Sequence, residues 1–207
     1  MGGFARSAAN PVLLQYVTRH RQRAPVRRVL DIGCGAGRNA APLAWSGAEV
    51  VGIDLSWPML MAAAARPTGG RMRLVQAPMD ALPLGAGTMD VIVAHGIWNL
   101  ARSGRELERA VREAARVAAI GAALFVFIFS RHTLAPGAAP VPGESFVFTQ
   151  FSGGPQVFLT DHQLIECLGA VGFVPDPELP LRELNLPVLG QLSSGAPVIS
   201  EAGFRRS

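Results

Sequence analysis

Val29-Leu30-Asp31-Ile32-Gly33-Cys34-Gly35-Ala36-Gly37 runs from apolar residues holding one acid into three alternating glycines. The first part suits a buried strand. Glycine tolerates positive φ and lets a second molecule approach the backbone, so the glycines mark a turn that meets a ligand. A helical pattern follows, and this strand, glycine turn and helix together predict a nucleotide-type cofactor loop.

The spacing narrows the cofactor. A dinucleotide fingerprint, G-x-G-x-x-G, puts its third glycine five positions after the first, whereas Gly33, Gly35 and Gly37 are evenly spaced by two. Asp31 precedes them by two. A carboxylate there repels a pyrophosphate but receives a cationic amino group. A second apolar strand at 49–53 ends in Asp54, placed to accept both hydroxyls of a ribose.

In these residues the chain resembles the class I S-adenosylmethionine-dependent methyltransferases, whose first motif is an acid followed by G-x-G-x-G. The resemblance implies S-adenosylmethionine as cofactor and a Rossmann-like, doubly wound α/β fold. Its mainly parallel sheet has seven strands, an antiparallel C-terminal hairpin and helices on both faces. It also implies cofactor-binding roles for Asp31, Gly33, Cys34, Gly35, Gly37 and Asp54, with Leu55 and Met59 offering apolar surface to the adenine. Asp80, before Leu82-Pro83, becomes the ligand of the adenine amine, flanked by Met79 and Ala81. Arg38-Asn39 resembles a step seen in tellurite-resistance-type methyltransferases.

Alternation of strand and helix patterns supports the α/β class independently. Further strands are expected at 71–76, 89–94 and 122–129, and helices at 36–45, 58–65, 103–120 and 164–171. Gly121 is expected to end the third of these helices. Thr160-Asp161-His162-Gln163 reads as a capping box opening the last. Asn10 and Pro11 open an N-terminal helix within 10–23 that ends in arginines and covers the cofactor edge. The tail at 181–186 and 197–204 supplies the expected hairpin. One domain over 1–207 is expected, with a cofactor half at 25–100.

Residues 131–159 break this rhythm, because four prolines and four glycines interrupt a segment holding Phe146, Phe148 and Phe151. A segment so long and irregular reads as a substrate cover. Strand four delivers His95 to the sheet edge, as a cofactor neighbour or as the catalytic base. Tyr16, Trp98, His132 and Phe151 are the candidate substrate contacts.

Composition removes other classes. At 49% hydrophobic and 16% charged, the chain is expected to fold rather than remain disordered. The longest apolar run, at 120–129, is half a membrane span. Cys34 and Cys167 form neither a disulfide framework nor a metal spacing, and no apolar signal follows Arg6, so a reducing cytoplasm is expected. No metal site is expected. All nineteen basic residues are arginine, and the cluster of Arg19, Arg21, Arg23, Arg27 and Arg28 lacks interleaved aromatics. A small-molecule acceptor is therefore expected, and no nucleic acid. Methylation of a protein or nucleic acid, and a silent cofactor-binding protein, are the alternatives.

Overall fold

In the computed structural model, which describes residues 8–186 and 196–207, the glycine stretch lies at the centre of an open twisted sheet. Strands β1 (Arg28–Ile32), β2 (Glu49–Asp54), β3 (Met72–Gln76), β4 (Met89–His95) and β5 (Ala118–Phe129) pair in parallel. Antiparallel β10 (Ile199–Arg206) joins β5, and β8 (Phe173–Pro175) and β9 (Arg182–Leu184) both pair with its outer edge. The order is β3-β2-β1-β4-β5-β10-β8. Because the chain steps outward from β1 to β3 and returns to β4 beside β1, the strand order reverses between β1 and β4. Ligands of open α/β sheets lie beyond the carboxyl ends of strands at such a reversal.

Alternate side chains serve two faces. Val29, Val50, Val91, Val93 and Phe125 pack under α1 (Pro11–Arg21) and α2 (Ala40–Trp45). Leu30, Ile32, Ile92 and Leu124 pack under α4 (Gly104–Val117) and α5 (Asp161–Gly169). α3 (Trp57–Ala64) crosses from β2 to β3. Asn10 caps α1, its Oδ1 accepting the N–H groups of Val12 and Leu13 at 2.9 and 3.1 Å. Buried Leu13, Tyr16, Val17 and His20 follow at helical spacing. The Thr160 capping box forms with both of its reciprocal bonds.

Several boundaries differ from the sequence expectation. α2 begins at Ala40 rather than 36, because Gly33, Gly35 and Gly37 hold φ of +68°, +52° and +73° and no right-handed turn propagates through them. α4 stops at Val117, and Gly121 does not end it. That glycine lies inside β5 at φ +80°, where pairing with β4 shifts register between Met89 and Val91. The tail hairpin forms as β9 and β10. The sheet also gains β8, whose three residues ending at a proline carry no legible alternation.

The expected cover at 131–159 is a packed layer. It contains a 3₁₀ turn at Arg131–Thr133 and a two-stranded hairpin of β6 (Val147–Phe148) and β7 (Gln156–Val157). Val147, Val157 and Phe158 are fully buried. Asn99 pins the layer, donating from Nδ2 to Val157 O at 2.8 Å and accepting Phe129 N–H at 2.9 Å. The guanidinium of Arg131 lies 4.8 Å from the Phe148 ring centre. Among the described residues no helix is long and apolar enough to cross a membrane.

Candidate active site

A cleft crosses the carboxyl ends of β1, β2, β4 and β5 in two halves that share Gly33, His95 and Gly96. One half, of about 500 Å³, is lined by Ile53, Asp54, Leu55, Met79, Asp80, Ile97 and Leu100 among others. The second, of about 520 Å³, is lined by Asp31, Cys34, Gly35, Arg38, Met59, Phe127, Phe129, Asn185, Pro197 and Ile199 among others. Each lies in the size range of small-ligand sites.

Asp31 lies in the floor. Its Oδ2 is buried with no hydrogen-bond partner among the described residues, and the residue is 1% exposed. Burial pushes its pKa up to about 7; Arg38 pulls it down, Asp54 pushes it up and the Ala40 N–H pulls it down. An orphaned carboxylate oxygen at a cavity wall is a strong incomplete acceptor, and an ammonium group completes it.

The loop and the second acid are joined directly. Asp54 Oδ2 accepts the Gly35 N–H and its Oδ1 the Ser56 N–H, each at 2.8 Å. Asp54 lines the cleft half that Leu55 also lines. Gly33 must be glycine, since a Cβ there would stand 2.5 Å from Ile97 Cδ1. Gly37 differs from expectation: it is absent from the cleft lining and faces α3, where a Cβ would lie 3.1 Å from Ala63. Burial pushes the Cys34 thiol above its ordinary pKa, so it is an inert wall.

Asp80 lines the first half, and Arg109 donates to its Oδ2 from Nε at 2.9 Å and from Nη2 at 2.6 Å. Both of these bonds fall on the one oxygen. Met79 lines the same wall, but Ala81 is exposed and stands outside the lining.

His95 occupies the junction of the halves. Its ring stacks on Phe127 at 4.1 Å and 10°. Burial and then the Arg38 charge push its pKa down to about 4, so it is neutral and a weak base at physiological pH. The near-neutral pKa expected of a catalytic base is not what this environment produces.

Three candidate substrate contacts lie elsewhere. Tyr16 is buried under the sheet, donating to Asp176 Oδ2 at 2.8 Å. Trp98 is 1% exposed in the core on the α4 face. His132 is on the surface, its Nδ1 2.8 Å from Glu183 Oε1. Each was placed near the cleft by chain position, and side-chain direction decides otherwise. Phe151 does not line the cleft, but packs edge-on against Phe129, which does, at 5.2 Å.

Residues not singled out from sequence line the second half: Phe127, Phe129, Asn185, Pro197 and Ile199. Phe125, Phe127 and Phe129 alternate at the end of β5, and that period of two was the available signal for the first pair. Asn185 carried none, although its φ of +62° is the only positive value outside glycine among the described residues.

Residues 29–121 match the family model described as a methyltransferase domain. Over that segment the chain is similar to methyltransferase domains. Over 111 residues the chain is 41% identical to the ubiquinone/menaquinone biosynthesis C-methyltransferase UbiE of Syntrophotalea carbinolica, covering 51% of this chain and 45% of the relative. It is 30% identical to the malonyl-[acyl-carrier protein] O-methyltransferase of Legionella pneumophila, over 77% of this chain and 54% of the relative. The chain thus spans about half the length of these curated relatives. In fold it is similar to a crystal structure of a SAM-dependent methyltransferase from Methanosarcina mazei. The TM-score is 0.70 at 20% identity, with 97% of this chain and 99% of that one covered.

Proposed function

We propose that this protein transfers a methyl group from S-adenosylmethionine to a small-molecule acceptor by direct displacement. The observation that carries this reading is the buried Oδ2 of Asp31, which has no hydrogen-bond partner among the described residues and lies beside the glycine loop. It fits the cofactor's ammonium. Asp54 fits the ribose, with Leu55 and Met79 on the adenine and Asp80 Oδ1 on its amine.

When bound, the cofactor supplies an electrophilic methyl on a sulfonium. The chain's task is to bind, align and exclude water, because displacement needs the acceptor in line at about 3 Å. Asp31 and Asp54 hold the two ends of the cofactor's polar frame, and Gly33 and Gly35 let it approach the backbone. Phe127, Phe129, Pro197 and Ile199 give the acceptor half apolar walls suited to a flat or hydrocarbon body. The name of one relative, a ubiquinone/menaquinone biosynthesis C-methyltransferase, supports an acceptor of small size.

Calorimetry with S-adenosylhomocysteine tests the cofactor assignment, and binding is expected to be lost in Asp31→Ala. Transfer of labelled methyl to a metabolite pool then tests turnover. Binding of NAD without binding of S-adenosylhomocysteine would overturn the reading.

A further inference from the structure

We propose that the acceptor enters the cleft already as an anion, a carboxylate or an acidic phenol or enol, because the side chain best placed to take a proton, His95, has that role blocked. This rests on the methyl-transfer reading above and names the substrate class of the same site.

The block is geometric. Asn10 caps α1 through Oδ1, which accepts from Val12 and Leu13, so its orientation is set and Nδ2 is the atom turned inward. Nδ2 donates to Glu201 Oε1 at 3.0 Å and lies 3.4 Å from His95 Nε2. An amide nitrogen carries hydrogens and no available lone pair. Arg38 Nη2, also an obligate donor, lies 3.2 Å from both ring nitrogens. Two obligate donors, Asn10 Nδ2 and Arg38 Nη2, lie against Nε2 and one, Arg38 Nη2, against Nδ1, which favours a bare Nε2 with the proton on Nδ1. The lone pair that a general base needs is already engaged. Protonating it would turn an N–H toward the Asn10 N–H beside a guanidinium. The downward push on the His95 pKa has the same origin in burial and Arg38.

Row register holds this arrangement in place. His95 pairs with Phe127, Phe127 with Glu201, and Glu201 with Arg182, one row across β4, β5, β10 and β9. Glu201 is 1% exposed and its Oε2 accepts from Arg182 at 2.6 Å. Asn10 bridges the row from above.

No other base is at hand. The sequence has one tyrosine, two cysteines, four histidines and no lysine. Tyr16 is held by Asp176, Cys34 is pushed up by burial, and His20, His132 and His162 do not line the cleft. Asp31 is the carboxylate of the acceptor half and faces the cofactor's ammonium; Asp54, Asp80 and Glu106 line the adenosine half. Residues 187–195, Pro-Val-Leu-Gly-Gln-Leu-Ser-Ser-Gly, contain no titratable side chain, and residues 2–7 add only Arg6.

An anion removes the need. Its lone pair forms the bond to the methyl carbon while the carbon–sulfur pair returns to sulfur. Sulfonium and anion become a thioether and a neutral ester or ether, and no proton moves. A neutral alcohol or amine would leave a proton on a cationic product with no side chain to receive it. Arg38 is the cationic side chain among the described residues lining the acceptor half, and its charge also acts on Asp31 in the same wall.

The test titrates benzoate, benzamide and benzyl alcohol into the full chain loaded with S-adenosylhomocysteine. Nitrogen-15 spectra of the histidine rings are recorded on the same complex. Benzoate is expected to bind at least tenfold more tightly than either neutral probe. The preference should vanish in Arg38→Gln and persist in Arg38→Lys, and His95 should show Nδ1–H with a bare Nε2. Equal or tighter binding of a neutral probe, no binding of benzoate, or an Nε2–H tautomer overturns the proposal. Failure of S-adenosylhomocysteine to bind at the first step would instead sink the methyl-transfer reading.

Discussion

The Gly35 N–H donates to Asp54 Oδ2 at 2.8 Å, so the glycine loop after β1 and the acid at the end of β2 form one rigid unit. The same carboxylate also accepts the Ser56 N–H ahead of α3. Asp54→Ala therefore removes a loop clamp together with the proposed ribose acceptor. Cofactor affinity is expected to fall by about 1.5–3 kcal/mol, the range for hydrogen bonds to a charged group. Calorimetry with S-adenosylhomocysteine checks this, and an unchanged dissociation constant would place the ribose elsewhere.

Asp31 couples binding to pH. Its folded pKa of about 7 lies above the ordinary carboxylate value, so the stability it contributes is fully present below about pH 4. That contribution is lost as pH rises through 7. Above pH 7 the free protein holds a buried, unneutralised carboxylate, and an ammonium ligand relieves it. S-adenosylhomocysteine affinity is expected to rise from pH 5 to 7 and then level, with proton release below 7. Asp31→Asn should raise the melting temperature of the free protein at pH 8. A pH-independent affinity would remove Asp31 from the ligand's ammonium.

His95 acts in the opposite sense. Its folded pKa, near 4, is below the ordinary histidine value, so its contribution is present above about pH 6.5 and lost as pH falls toward 4. His95→Gln keeps an acceptor for Asn10 and cannot titrate. The variant's stability is expected to decline less steeply than the parent's between pH 6.5 and 4, as measured by urea denaturation at each pH. Parallel acid limbs would show that His95 is already accessible to protons in the native state.

Tyr16 is a structural residue here. Its hydroxyl donates to Asp176 Oδ2, which also accepts from Arg205 Nε, both at 2.8 Å. Burial first, and then the Asp176 charge, push the phenol above its ordinary pKa. Tyr16→Phe should lower stability by about 1.5–3 kcal/mol, since it strips a partner from a buried carboxylate. Cofactor affinity should not change. A variant with parental stability and altered acceptor selectivity would restore a substrate role.

What the chain order alone determined was local. Glycines at 33, 35 and 37 announce a turn because few other residues adopt that backbone, and Asp31 and Asp54 were legible because strand ends in this fold meet the ligand. Asn10 and Thr160 were legible as caps because capping acts within three residues. Only the tertiary structure decided which side chains meet across strands. Period two says that neighbouring residues face opposite sides but not which side is the cleft. Tyr16 and Trp98 accordingly turned into the core while Phe127 and Phe129 turned out. The blocked lone pair of His95 needs residues 10, 38 and 95 within hydrogen-bonding distance, and the row from His95 to Arg182 needs four strands in register. Both depend on long-range pairing, and so does burial, which moved Asp31 and His95 to pKa values that neither residue type has in water.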